Sequence, residues 1–88
     1  MHPIEAYEAV CRAINADPRR RIVDSRYDEQ NFGSFAVSFE EGSEARCVVN
    51  DRGYLFVARG LDGTGEAIVT VPSLREENVK SLLQTLSL

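Results

Sequence analysis

Residues 59–66 read R-G-L-D-G-T-G-E. Three glycines, with Asp62 and Thr64 among them, suit a phosphate cradle, a metal loop or the tip of a β-hairpin. The flanks choose among these. A phosphate cradle sets its glycines before a helix N-terminus, whose free N–H groups and dipole bind the anion. Here the glycines precede A-I-V-T-V at 67–71, a β-rich run. A calcium loop of the EF-hand type needs oxygen ligands at alternate positions and a closing glutamate at the twelfth. Only Asp62, Thr64 and Glu66 fall at alternate positions. The hairpin remains. Asp62-Gly63 signals a type I′ turn, in which both central residues take φ > 0. Whether that pair turns or the whole of 60–65 is an open loop, Arg59 faces Glu66. Their opposite charges fit a cross-strand pair, which is worth ~0.2–1 kcal/mol when exposed.

Pairing continues inward from there: Ala58 with Ala67, Val57 with Ile68, Phe56 with Val69, Leu55 with Thr70 and Tyr54 with Val71. Upstream, residue alternation and turn residues place strands at 20–27, 35–39, 45–50 and 54–59, with the last strand at 66–71. A tight turn at Asp51-Arg52-Gly53 sets Tyr54 against Val49 and Cys47 beside Phe56. A five-residue turn at 40–44 adds Phe35, Val37 and Phe39 to that side. The face carrying Tyr54, Phe56, Ala58, Ala67, Val69 and Val71 is therefore the expected core, covered by the helices.

The opposite face holds Val48, Leu55, Val57, Ile68 and Thr70, with Arg46, Arg59 and Glu66 around them. A solvated face of an antiparallel sheet should alternate to polar. Strand 54–59 does not alternate and reads as buried on both sides. Something must cover this second face: a crossing helix, a two-fold mate or a partner protein. Val48, Leu55, Val57, Ile68, Thr70, Arg46 and Arg59 are thus the candidate protein-interaction face.

Two amphipathic helices flank the strands. Ile4, Tyr7, Val10, Cys11 and Ile14 recur at helical spacing, with Pro3 in the first turn and Asn15-Ala16-Asp17-Pro18 as the stop. At the other end Pro72 closes the sheet and Ser73 with Glu76 forms a capping box. Leu74, Val79, Leu82, Leu83 and Leu86 then make an apolar stripe on a helix that runs to Leu88. The expected architecture is α+β in the order α-β-β-β-β-β-α, a five-stranded antiparallel meander with both helices packed on it, as a single domain over 1–88.

Composition narrows the chemistry. The net charge is -4, against nonspecific nucleic-acid binding by phosphate neutralisation. His2 is the only histidine, so nucleophiles activated by histidine and ordinary zinc sites are not expected. Cys11 and Cys47 lack the C-x-x-C spacing and read as buried free thiols of a reducing compartment. No apolar run approaches the ~20 residues of a membrane span, and no signal peptide is visible, so a cytoplasmic location is expected. The one basic cluster, Arg19, Arg20 and Arg21 followed by Arg26, suits phosphate or an acidic partner. The plainer expectation is pairing with Asp17 and Asp24. The carboxylates at 40, 41 and 44 fall in a turn and those at 76 and 77 in a helix's first turn, which gives no general acid/base pair.

These features point to a small acidic non-enzymatic protein-interaction module without cofactor or metal, of the kind that serves as inhibitor, immunity or antitoxin-like protein, adaptor or chaperone-like binder. A partner protein or a homodimer is expected, and neither a membrane nor nucleic acid. Two alternatives belong to other classes. One is a small anionic ligand held between a helix and the Phe35/Phe39/Tyr54/Phe56 side. The other, least favoured, is RNA binding over sheet aromatics, which needs those aromatics exposed beside basic residues.

Overall fold

A computed structural model describes residues 1–87. The order is α1 (Pro3–Asn15), β1 (Arg20–Asp28), β2 (Ser34–Glu41), β3 (Glu44–Asp51), β4 (Tyr54–Arg59), β5 (Ala67–Val71) and α2 (Glu76–Ser87). The strands form one antiparallel sheet in the order β1-β2-β3-β4-β5, a simple meander. The α+β class and the element order are those expected. No helix among the described residues is long and apolar enough to cross a membrane.

The register differs from expectation, and with it the identity of the core. β2 and β3 are joined by a two-residue turn, Gly42-Ser43, with Glu41 opposite Glu44. Gly42 takes φ 62, the positive value a type II′ turn demands of its first central residue. A five-residue turn would have paired Phe39 with Ala45. The short one pairs Phe39 with Arg46 and Val37 with Val48. Side chains alternate with period two, so this one-residue difference moves the whole of β3 and β4 to the other face relative to β2. Phe35, Val37 and Phe39 therefore share a side with Val48, Leu55 and Val57, and not with Cys47, Tyr54 and Phe56.

Of two further register differences, the first leaves the faces unchanged, and the second moves Val69 and Val71 to the side of Leu55 and Thr70 to the side of Phe56. Arg52 (φ 54) and Gly53 (φ 95) form a tight turn, so Tyr54 lies opposite Asp51 rather than Val49. Between β4 and β5 the pairing runs Ala58 with Ala67, then slips, so that Val57 meets Val69, Phe56 meets Thr70 and Leu55 meets Val71. Ile68 is the extra residue at that bulge.

Both helices pack on the side of Leu55. Ala6, Val10 and Ile14 of α1 and Val79, Leu82 and Leu86 of α2 close over Phe35, Val37, Phe39, Val48, Leu55, Val57 and Val71 in one buried cluster. Tyr7 clamps α1 to the first two strands, with its ring 5.4 Å from both Tyr27 and Phe35. Asn50 is a buried polar residue on this side, between Phe35 and Leu55. Its Nδ2 donates to the Gly33 carbonyl at 3.0 Å, and its Oδ1 accepts from the Gly53 N–H at 2.9 Å. It thereby ties two turns at one end of the sheet, with none of its polar atoms left unmet.

The helix ends show why one boundary is legible and the other is not. Glu5 accepts from the His2 N–H at 2.9 Å, and Pro3 occupies the first turn, so α1 begins where expected. The second helix starts at Glu76, three residues after the expected cap. Ser73 Oγ instead accepts from Asn78 Nδ2 at 2.8 Å and from the Arg75 N–H at 3.4 Å, while the Arg75 carbonyl accepts the first helical bond. The expected continuation to Leu88 lies outside the described residues.

Candidate functional site on the outer sheet face

The apolar centre of the interaction face expected from sequence is not a surface. Val48, Leu55 and Val57 are at most 2% exposed beneath the helices. Arg46 and Arg59 sit opposite each other at the margin of that side, each held by its own acid: Arg46 to Glu44 at 2.6 Å and Arg59 to Glu66 at 3.6 Å. Ile68 and Thr70, on the edge strand β5, are exposed, as is Arg59 at the end of β4. Both helices occupy this side, a helical cover being one of the three expected for it. The side left without a helix is the one carrying Tyr54 and Phe56.

This outer side can be read in rows across the strands. One row is Asp24, Ser38, Cys47, Ala58 and Ala67, and the next is Arg26, Ala36, Val49, Phe56 and Thr70. Asp51 and Tyr54 lie beyond them. The first row is nearly all small side chains, and Ser38, Cys47 and Ala58 in it are buried although no helix is near. The cover is R-G-L-D-G-T-G-E itself. The Arg59 N–H donates to the Glu66 carbonyl at 2.9 Å, which keeps the expected closing pair. Between them the chain is an open loop rather than a two-residue turn, and it folds back over the sheet. Gly60 N–H donates to the Ala45 carbonyl at 2.9 Å, and Ser38 Oγ donates to the Leu61 carbonyl at 2.6 Å. Asp62 Oδ1 accepts from both the N–H and the hydroxyl of Thr64, at 3.0 and 2.8 Å, which holds the bend and draws the Asp62 carboxyl pKa below its usual range.

Two of the glycines are needed for this packing. A Cβ on Gly63 would stand 3.0 Å from Val49 Cγ2, and one on Gly65 only 2.0 Å from the Arg59 carbonyl oxygen. The loop is a cover for one row of the sheet, and the small residues beneath are its bed. Burial under it pushes the Cys47 thiol pKa up, and partial burial on α1 does the same to Cys11. Cys11 lies on the helix side and Cys47 on the other, with the sheet between them, and both are free thiols. A thiol reagent should therefore label Cys11 first and Cys47 only as the loop opens. Gly65→Ala is expected to speed Cys47 labelling about tenfold or more, which corresponds to ~1.4 kcal/mol of lost loop closure. Mass-resolved alkylation kinetics measure this, and an unchanged Cys47 rate would show that the loop is not its cover.

Beside the loop, the second row is half open. A shallow groove of about 670 Å³ runs there, floored by Ala36, Val49 and Phe56, walled by Gly63 and rimmed by Arg26 and Asp51. Tyr54 stands next to it, 57% exposed. The aromatics expected to share a pocket wall are thus divided: Phe35 and Phe39 lie on the helix side, while Tyr54 and Phe56 lie on the outer side, with Phe56 in the groove floor. What sequence reasoning missed is the location. The signal was present in Y-L-F-V-A-R, a strand that is apolar on both sides.

The basic cluster does not converge. A bulge at Val23 sets Arg20 and Ile22 on the helix side with Ser25 and Tyr27, and Arg21 on the outer side with Asp24, Arg26 and Asp28. Arg20 is buried against Glu41 at 2.7 Å. Arg21 pairs with Glu40 at 2.7 Å and Arg26 with Asp24 at 3.3 Å. Arg19 grips Asp17 through two bonds, of 2.8 and 3.1 Å, and its N–H adds a third. Those bonds lower the Asp17 carboxyl pKa to about 2. A depressed folded-state value stabilises the fold above the unfolded value, near 3.8, and that contribution is lost as pH falls through the interval toward 2. The Asp17 carboxyl is thus expected to titrate near 2 by NMR, and Asp17→Asn should remove the part of the stability–pH slope confined to that interval. Among the described residues, no three His, Cys, Asp or Glu side chains gather as a metal site would require.

Comparison of the chain with protein-family models, with curated proteins and with solved structures finds no match.

Proposed function

We propose that the chain is a small non-enzymatic protein-interaction module that binds a partner through the outer face of its sheet. The observation that carries this is the row Arg26, Ala36, Val49, Phe56 and Thr70 beside exposed Tyr54. It is an apolar, aromatic strip on the one broad side the helices leave open, with charges of both signs at its rim. Tyrosine and phenylalanine contribute large contact area at small entropic cost, and such strips within polar rims mark association surfaces. The shallow groove suits a segment of polypeptide better than an enclosed small molecule, whose pockets surround most of the ligand.

RNA is the competing class, because the exposed Tyr54 and half-buried Phe56 are placed as stacking platforms would be. Charge argues against it. Asp24, Asp28 and Asp51 share the face with Arg21 and Arg26, and the chain is acidic overall. The test compares wild type with Phe56→Ser and Tyr54→Ala in quantitative affinity capture from cells of the protein's own source, alongside titration with single-stranded RNA. The module reading expects a protein enriched by wild type and lost with both variants, while Lys80→Ala on the remote helix α2 retains it. Capture unaffected by either substitution, or tight RNA binding lost with them, would overturn it.

A further inference from the structure

We infer that β1 pairs along its free edge with β1 of a second copy of this chain, joining two sheets into one about a two-fold axis at Ser25. β1 is an edge strand and, at nine residues, the longest in the sheet. Among the described residues, the backbone bonds it makes beyond β2 are confined to its ends, where the Arg20 N–H donates to the Asp17 carbonyl and the Asp28 carbonyl accepts from the Asn31 N–H. The stretch between presents an unpaired row of donors and acceptors, a template for another strand. Val23, the bulged residue on this edge, is 46% exposed.

The order of charges identifies the occupant. Because the bulge resets the alternation, Arg21, Asp24, Arg26 and Asp28 follow one another on the outer side, with signs plus, minus, plus, minus. A two-fold axis at Ser25 reverses that order in the second copy. Arg21 then faces the partner's Asp28, and Asp24 faces the partner's Arg26. Every cross-strand pair is of opposite sign, twice over by symmetry. The extra residue at Val23 is absorbed as it is against β2, with Ile22 and Val23 together opposite the partner's Tyr27. Bulges and charges also serve to keep edges apart, but a guarding pattern places like signs opposite each other under the two-fold. This one does not. The present pairs of Arg21 with Glu40 and Arg26 with Asp24 are exposed, so each is worth little and is readily exchanged.

The inference is independent of the outer-face reading. It would nonetheless set two grooves side by side, since Arg26 and Asp28 belong to both the edge and the groove lining.

Sedimentation equilibrium at low ionic strength should show a monomer–dimer equilibrium in the micromolar range that weakens with added salt. Asp24→Arg and Arg26→Asp are each expected to weaken the dimer about tenfold or more, by placing like charges opposite one another. The double variant D24R/R26D should recover wild-type association, because the reversed ladder is again self-complementary. Both positions are exposed, and circular dichroism is the check that each variant folds. Phe56→Ser should leave the dimer intact, which separates this interface from the outer-face groove. As a second measurement, Ser25→Cys in a Cys11→Ala background should oxidise to a dimer linked through position 25. A wild type that stays monomeric, single variants that associate like wild type, a double variant without recovery, or a folded Ser25→Cys protein that does not cross-link would each overturn the pairing.

Discussion

Leu55→Arg is expected to leave the protein unfolded, whereas Ile68→Glu is expected to melt within a few degrees of wild type. The strand alternation alone had placed both residues on one surface. In the fold they part. Leu55 is 0% exposed between Asn50 and Val71, beneath the helices, while Ile68 is the extra residue of a bulge on an edge strand and is 40% exposed. Replacing Leu55 removes ~1.5–3 kcal/mol of apolar burial and forces an unpaired guanidinium into the core at several kcal/mol more. Total stability for 88 residues is roughly 4–13 kcal/mol, so the sum is comparable with the whole of it. The milder Leu55→Ala keeps the experiment quantitative. A buried leucine cut to alanine costs about 2–5 kcal/mol, a fall in melting temperature of roughly 10–30 °C for a domain this size. Thermal melts by circular dichroism, supported by urea titration, separate the outcomes. A folded, soluble Leu55→Arg protein would place the helices on the other side of the sheet.

The same pair of residues shows how much of the fold was legible. Element types and order followed from local signals: helical spacing in 3–15, Pro18, Pro72 and alternating runs between turn residues. Face identity is a global property, and it depended on one turn. E-E-G-S-E accommodates either a two-residue or a five-residue connection. The choice is made by where Phe35, Val37 and Phe39 find apolar neighbours across β3, and that is settled only when the helices are in place. Val48 and Val57 supply those neighbours, with Val69 completing the row. The strand Y-L-F-V-A-R did announce two covered faces, but not which cover went where. The loop R-G-L-D-G-T-G-E was legible as a connection between two strands, closed by Arg59 and Glu66. Its second role was hidden, because a glycine-rich loop lying over small side chains leaves no periodic trace. Ser38, Cys47 and Ala58 were the trace it did leave, three small residues that the register aligns in one row.

The arginine cluster carries the second large effect, and it falls on one member. Arg20→Met is expected to cost about 2–3 kcal/mol, while Arg19→Ala and Arg21→Ala stay within about 0.5 kcal/mol of wild type. The three are consecutive in sequence, yet only Arg20 has its side chain, 5% exposed, turned under the end of α2. Its Nε donates to Glu41 at 2.7 Å, its Nη2 donates to the Leu86 carbonyl, and Asp17 lies 4.0 Å away. The guanidinium also stands 6.0 Å from the centre of the Phe39 ring. One planar fork thus meets an acid on β2 and one of the last carbonyls of a helix, which have no partner within the helix itself. Methionine keeps the apolar stem and removes both bonds. Glu41 retains some access to water, so the cost falls short of that for a fully buried pair. Lysine should recover only part of it, since a single ammonium does not reproduce the fork. The distinctive consequence is local. Losing the anchor at Leu86 should speed amide exchange in the last turns of α2 more than in the sheet, and hydrogen exchange resolves this where a melting curve does not. An Arg20→Met protein as stable as Arg21→Ala, with α2 equally protected, would show that the helix end is held by its apolar stripe alone.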